Sequence, residues 1–156
     1  MERKMYKADR QLPHQETQEL LSNGRHGILA VNGDEGYPYA VPVNYVYLNE
    51  KIYIHSAQYG YKMEAVQKNG KVCFTAILSA KILPRNVTAA FESVIATGQA
   101  ALVEAEDEKR EVMETFVTRF CVGAEEIGMK FLAHALPKTA VIRIDVETLT
   151  GKAYRG

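Results

Sequence analysis

Tyr37-Pro38-Tyr39-Ala40-Val41-Pro42-Val43-Asn44-Tyr45-Val46-Tyr47-Leu48 alternates between bulky and small positions. Tyr37, Tyr39, Val41, Val43, Tyr45 and Tyr47 occupy the odd positions, while Pro38, Ala40, Pro42 and Asn44 fall on the even ones. A repeat of two is the period of a β-strand, whose side chains point alternately to opposite faces. The stretch therefore predicts one long strand over 37–48 with a bulky face and a smaller one. Pro42 qualifies this. It has no N–H to give a ladder, so it belongs at a sheet edge, at a bulge or where pairing stops.

Both flanks carry turn chemistry. Asn32-Gly33-Asp34-Glu35-Gly36 precedes the strand and Leu48-Asn49-Glu50-Lys51 follows it. Beyond the turns, Gly27–Val31 reads as a buried strand and Ile52–His55 as a short one. Further out, Lys71–Leu83 is rich in Val, Ile, Phe and Thr and is broken by Pro84-Arg85-Asn86. Phe91–Val103 is a long strand in which Gly98 marks a bulge or a close approach. Ala140–Val146 is the last strand. Helical signals cover Gln15–Asn23, stopped at Asn23-Gly24, and Tyr61–Lys68, stopped at Asn69-Gly70. A third helix opens on Glu104, Glu106, Asp107 and Glu108, which suits its positive end. It carries Val112, Met113, Phe116, Val117 and Phe120 at helical spacing, and Gly123 closes it. A fourth runs over about Ala124–Leu136 to Pro137. Hairpin-linked strands favour an antiparallel sheet. Strands with two apolar faces favour closure, so the expected fold is mainly β: a six-stranded antiparallel β-barrel with flanking helices, one domain over 1–156.

Composition narrows the function. The 156 residues hold 19 basic and 19 acidic side chains, a formal net charge of zero. A binder of phosphate backbones usually has an excess of Lys and Arg, so nucleic acid is not the expected partner. No run reaches the ~18 apolar residues of a membrane helix. Met1-Glu2-Arg3-Lys4 has no apolar run behind it, which argues against a secretory signal. Cys73 and Cys121 are expected as reduced thiols of a cytoplasmic protein, and no Cys or His pair has zinc-ligand spacing.

Chemistry concentrates between Tyr39 and Lys62. A strand ends at His55, a polar loop follows, and a helix begins near Tyr61. Free backbone N–H groups at such a helix start attract anions. Lys62 in the first turn opposes the helix dipole, and a bound anion would remove that conflict. With His55, Ser56 and Gln58 as further donors, a phosphate is the natural occupant. Lysines in first turns are also common as solvated charges, and His55 could be a half-buried histidine with ordinary partners. The tyrosine row is more simply one packed face of a sheet than a set of stacking platforms.

Several stretches in order carry a family resemblance: Arg25–Val31, Tyr37–Tyr45, Ile52–Ala57, Gly60-Tyr61-Lys62, Val72-Cys73-Phe74 and Phe91–Gly98. Together they resemble the pyridoxamine-5′-phosphate-oxidase-like flavoproteins, and among them the nitroimidazole-resistance (Nim-type) branch. That resemblance implies a split β-barrel, a homodimer and an FMN at the subunit interface. It implies Val41, Pro42, Val43 and Asn44 along the flavin ring, and His55, Ser56, Ala57 and Lys62 around the ribityl chain and phosphate. Ser93 would come from the second subunit. His55 matches the histidine associated with reduction in the Nim-type branch, as a proton donor. The implied activity is reduction of a small electrophile such as a nitroaromatic. A non-catalytic electron carrier, or the same barrel holding haem or a deazaflavin, remains open. The oxidases' C-terminal arginine-rich motif is missing from Gly151-Lys152-Ala153-Tyr154-Arg155-Gly156, and no arginine stands near Val41, which speaks against vitamin B6 oxidation.

Overall fold

The structure, a computed structural model, describes residues 3–156. Its elements are α1 (His14–Asn23), β1 (His26–Asn32), β2 (Pro38–Asn44), β3 (Val46–Leu48), β4 (Lys51–Ala57) and α2 (Tyr61–Lys68). There follow β5 (Lys71–Leu83), β6 (Thr88–Leu102), α3 (Glu106–Phe120), α4 (Glu125–Ala135) and β7 (Thr139–Tyr154).

The seven strands form one sheet in the order β2-β1-β5-β6-β7-β4-β3, with every pairing antiparallel. β2 and β3 end that order on opposite sides, yet only Tyr45 separates them in the chain. The sheet must therefore curl until its two edges meet, and the result is a split barrel with flanking helices. The expected strand over 37–48 is two strands, which makes seven where six were expected. The break has a clear cause. Tyr45 is fully buried, its ring packs edge-on against Phe74 at 4.8 Å, and its hydroxyl donates to the Leu21 carbonyl at 2.7 Å. A side chain committed to the interior in this way turns the chain from one edge of the sheet to the other.

Alternation along the strands builds the core. Leu29, Ile54, Phe74, Val94, Ala96 and Ile142 all point inward and are shielded from solvent. Burying each large apolar side chain contributes about 1.5–3 kcal/mol. Leu21 of α1 and Met63 and Val66 of α2 belong to the same interior cluster, so both helices help close the barrel. A second apolar layer lies outside the wall. Val112, Met113, Phe116 and Val117 of α3 and Leu132 of α4 cover Val46, Tyr53 and Val141. The start of α3 is tied to that wall: Tyr53 donates to Glu108 at 2.8 Å and Arg143 to the same carboxylate at 2.9 Å.

β6 and β7 exceed their expected lengths. Their register slips between Thr97 and Gly98, where Glu147 is the extra residue on β7. The bulge expected at Gly98 is present. Among the described residues no helix is long and apolar enough to cross a membrane.

Candidate functional site

The candidate site is the split itself. β2 pairs with β1 on one side only, and β3 is too short to cover β4 beyond Tyr53. The free edges of β2 and of the outer half of β4 thus approach each other without pairing.

The hydrogen-bond phase of β2 decides what faces this seam. Tyr45 donates its N–H to the Arg25 carbonyl at 3.0 Å, and Gly33 donates to the Tyr37 carbonyl at 2.9 Å. Antiparallel bonded pairs recur every second residue. Val41 and Val43 therefore spend their main-chain groups on β1, and their side chains pack against the barrel interior. Ala40, Pro42 and Asn44 turn theirs to the free edge. Pro42 sits in a non-bonded pair opposite Ile28, so its missing N–H costs the ladder nothing. The N–H of Asn44 is left available at the edge. Its side-chain oxygen lies 2.8 Å from His26 Nδ1, which holds the amide in place. Nothing in the sequence marks His26 for this task.

Across the seam, β4 extends through Ser56 and Ala57, beyond the expected end at His55. His55 points outward and packs edge-on against Phe116, with ring centroids 4.6 Å apart. Burial lowers its pKa below the usual histidine value, and the Lys62 ammonium lowers it further. Ser56 points inward and is buried, and its Oγ has no hydrogen-bond partner. A buried hydroxyl without a partner costs free energy and calls for an explanation.

The loop after Ala57 enters α2 through Gly60, whose φ of 132° is a backbone conformation open to glycine and strained for other residues. No side chain caps the helix start. Lys62 stands half-buried in that first turn and makes no ion pair among the described residues. Gln58 does not join the group, because its amide donates to the Pro137 carbonyl at 2.9 Å. The structure thus gathers Asn44, His55, Ala57 and Lys62 around one seam, while the Ser56 side chain turns to the interior.

Ser93 lies elsewhere in the same chain. It pairs with Lys152 of β7, whereas His55 pairs with Val141, 11 residues earlier on that strand. That is ~35 Å of extended chain. Three of the four tyrosines in the row pack: Tyr45 in the core, Tyr39 at 4.6 Å from Tyr61, and Tyr47 accepting a hydrogen bond from Gln18 at 3.1 Å, whereas Tyr37 is exposed.

Beside the seam, α3 and α4 enclose a cavity of about 270 Å³. His55, Asn44 and Thr139 line its barrel side, and Phe116, Phe120 and Phe131 are among its apolar walls. The Phe and Val spacing of α3 was legible in the sequence.

The depressed pKa of His55 has a measurable consequence. Between its folded value and the ordinary 6.5, the unfolded chain binds more protons than the folded one. Stability therefore rises with pH through that window and is lost as pH falls through it. The melting temperature should drop as the pH falls below about 6.5, and His55→Gln should flatten that slope. Equal slopes for the two proteins in a thermal-shift series would refute the assignment.

Fold and seam together define a split antiparallel β-barrel with a polar-edged cleft. The chain belongs to the pyridoxamine 5′-phosphate oxidase family, whose profile matches residues 13–153. No curated protein matches its sequence. Among solved structures it is similar to a candidate 5-nitroimidazole antibiotic resistance protein from Bacteroides thetaiotaomicron, with 25% identity over 92% of this chain and 86% of that one, and a TM-score of 0.70. It also shares its fold with the flavocytochrome Anf3 of Azotobacter vinelandii, at 20% identity, 98% and 73% coverage and a TM-score of 0.77. An FAD-binding protein of Mesorhizobium loti matches at 21% identity, 93% and 97% coverage and a TM-score of 0.67.

Proposed function

We propose that this protein binds FMN in the seam and passes electrons to a small electrophile such as a nitroaromatic. One observation carries the cofactor part: Lys62, without an ion pair among the described residues, stands half-buried in the first turn of the uncapped α2. A phosphate dianion would satisfy the ammonium and the free N–H groups of that turn together. Charge-assisted bonds to such an anion are about twice as strong as neutral ones. In this reading Lys62 and the main chain from Ala57 into α2 hold the phosphate. Pro42 and the Asn44 N–H meet the flavin ring's polar edge, while Val41 and Val43 support that wall from the core side. The solved structures described as an FAD-binding protein and a flavocytochrome support a flavin and leave its kind to measurement.

The bound flavin would supply two-electron transfer between a nicotinamide-type donor and the acceptor. His55 would aim an N–H at the acceptor from beside the seam. Vitamin B6 oxidation is disfavoured by Arg155, which is spent on Glu16 at 2.6 Å and Glu92 at 2.7 Å and so is not free for a substrate phosphate.

The wall opposite the seam supports a homodimer as part of this reading. Ile28, Ile77 and Ile95 lie on the outer face of β1, β5 and β6 and are 37%, 66% and 49% exposed. Ser93 shares that face two residues from Ile95. A second copy seated there would cover these side chains together with Ser93.

The test begins with an absorbance spectrum of freshly purified protein, followed by heat release and mass identification of the cofactor. FMN at about one per chain is expected; a colourless protein that does not take up added FMN would end the reading, and released FAD would end its FMN part. His55→Gln should keep its flavin and lose about 10²-fold or more in turnover with a nitroaromatic acceptor. Full turnover in that variant would remove His55 from the chemistry.

A further inference from the structure

We propose that the cavity between α3, α4 and β4 selects uncharged, single-ring aromatic acceptors, and that Phe131 is its specificity-determining residue. The substrate-class part rests on the flavin reading above, while the cavity and its walls do not. The volume of about 270 Å³ lies just under the range usual for drug-sized ligands, which admits one ring and a substituent or two. Among the described residues no lysine, arginine, aspartate or glutamate lines it. Its polar groups are confined to the barrel side, where His55 and Asn44 look into both cavity and seam. A charged ligand would leave its hydration with no countercharge to receive it, which is costly in an apolar site. An aromatic ring instead meets the faces and edges of Phe116 and Phe120, themselves 5.5 Å apart.

Phe131 stands at the rim. It lines the cavity yet is 72% exposed, which is unusual for a phenylalanine and leaves room for a ligand to cover it. Gly128, one turn earlier, lets α4 lie close on α3: a Cβ there would come within 2.7 Å of Val117 and 3.0 Å of the Cys121 sulfur. The rim is therefore held by close helix packing. Being exposed, Phe131 can be replaced without emptying the core.

The probes are 4-nitrobenzyl alcohol and 4-nitrobenzoate, of similar shape and different charge, titrated by calorimetry into flavin-loaded and flavin-free protein. The neutral probe is expected to bind better than the anion. Phe131→Ala should weaken the neutral probe about three- to tenfold, with FMN affinity unchanged. Phe131→Lys, which puts a cation at the rim, should reverse the preference toward 4-nitrobenzoate. Equal binding of both probes to the unaltered protein would overturn the proposal. So would a Phe131→Ala variant that loses FMN and keeps its probe affinity, because the flavin ring would then occupy the cavity. If FMN fails to bind but the neutral probe still does so selectively, the cavity assignment stands and the flavin reading falls.

Discussion

Lys62→Met is expected to weaken FMN binding by about ten- to more than a hundredfold. A hydrogen bond to a charged group is worth roughly 1.5–3 kcal/mol, and each 1.4 kcal/mol is about tenfold in affinity. Methionine keeps most of the length and apolar contact of the lysine stem and removes only the charge. Quenching of FMN fluorescence on titration gives the affinity directly. Lys68→Met is the matched control. Lys68 lies one turn and a half further along α2, is 72% exposed and pairs with Asp34 at 3.6 Å. It changes the net charge of the protein equally, so its affinity should stay near that of the parent. If both variants weaken binding alike, the effect is long-range charge. If neither does, the phosphate lies elsewhere.

Gly98→Ala should cost about 3 kcal/mol of stability, at the upper end of ordinary overpacking. A Cβ at Gly98 would overlap the main-chain carbonyl of Asp145 across the β6–β7 ladder. A side chain can rotate away from a clash, but a carbonyl locked in a sheet cannot. For a chain of this size each kcal/mol moves the melting temperature by roughly 2–4 °C, so a fall of about 6–12 °C is expected. A shift under about 2 °C would show that the bulge at Glu147 relaxes to admit a methyl group.

Much of the barrel was legible because period-two patterning and turn residues agree over β1, β5 and β6. Pro42 also announced itself: an edge strand is the one place where it could stand. The break at Tyr45 was hidden because Val43, Tyr45 and Tyr47 keep the bulky side of the alternation and no Gly or Pro stands between Val43 and Leu48. What breaks the strand there is a tertiary commitment, the buried hydroxyl on Leu21. The second half of β7 was missed for a related reason. Glu147–Tyr154 holds only Leu149 and Ala153 as conventional inward residues, and its close contact with α1 is made by Gly151 against Thr17. A strand whose packing depends on a small residue leaves a weak apolar signal. At the site, Lys62 and His55 were marked by their position around a helix start. His26 was not, since its part is to hold Asn44 from the neighbouring strand, a relation that only the register reveals.

The crossing at Tyr45 also governs how the barrel breathes. Both lips of the seam are one continuous piece of chain at that residue, so they cannot part there. Any opening must swing wide at the far ends, near Pro38 on one side and Ala57 on the other. Lys62 and the start of α2 stand beside that second free end. A molecule gripping both lips there works as a clasp on a hinged ring, and its grip and the ring's closure become a single equilibrium. At a hundred times its dissociation constant, such a clasp adds about 2.7 kcal/mol to the folded state.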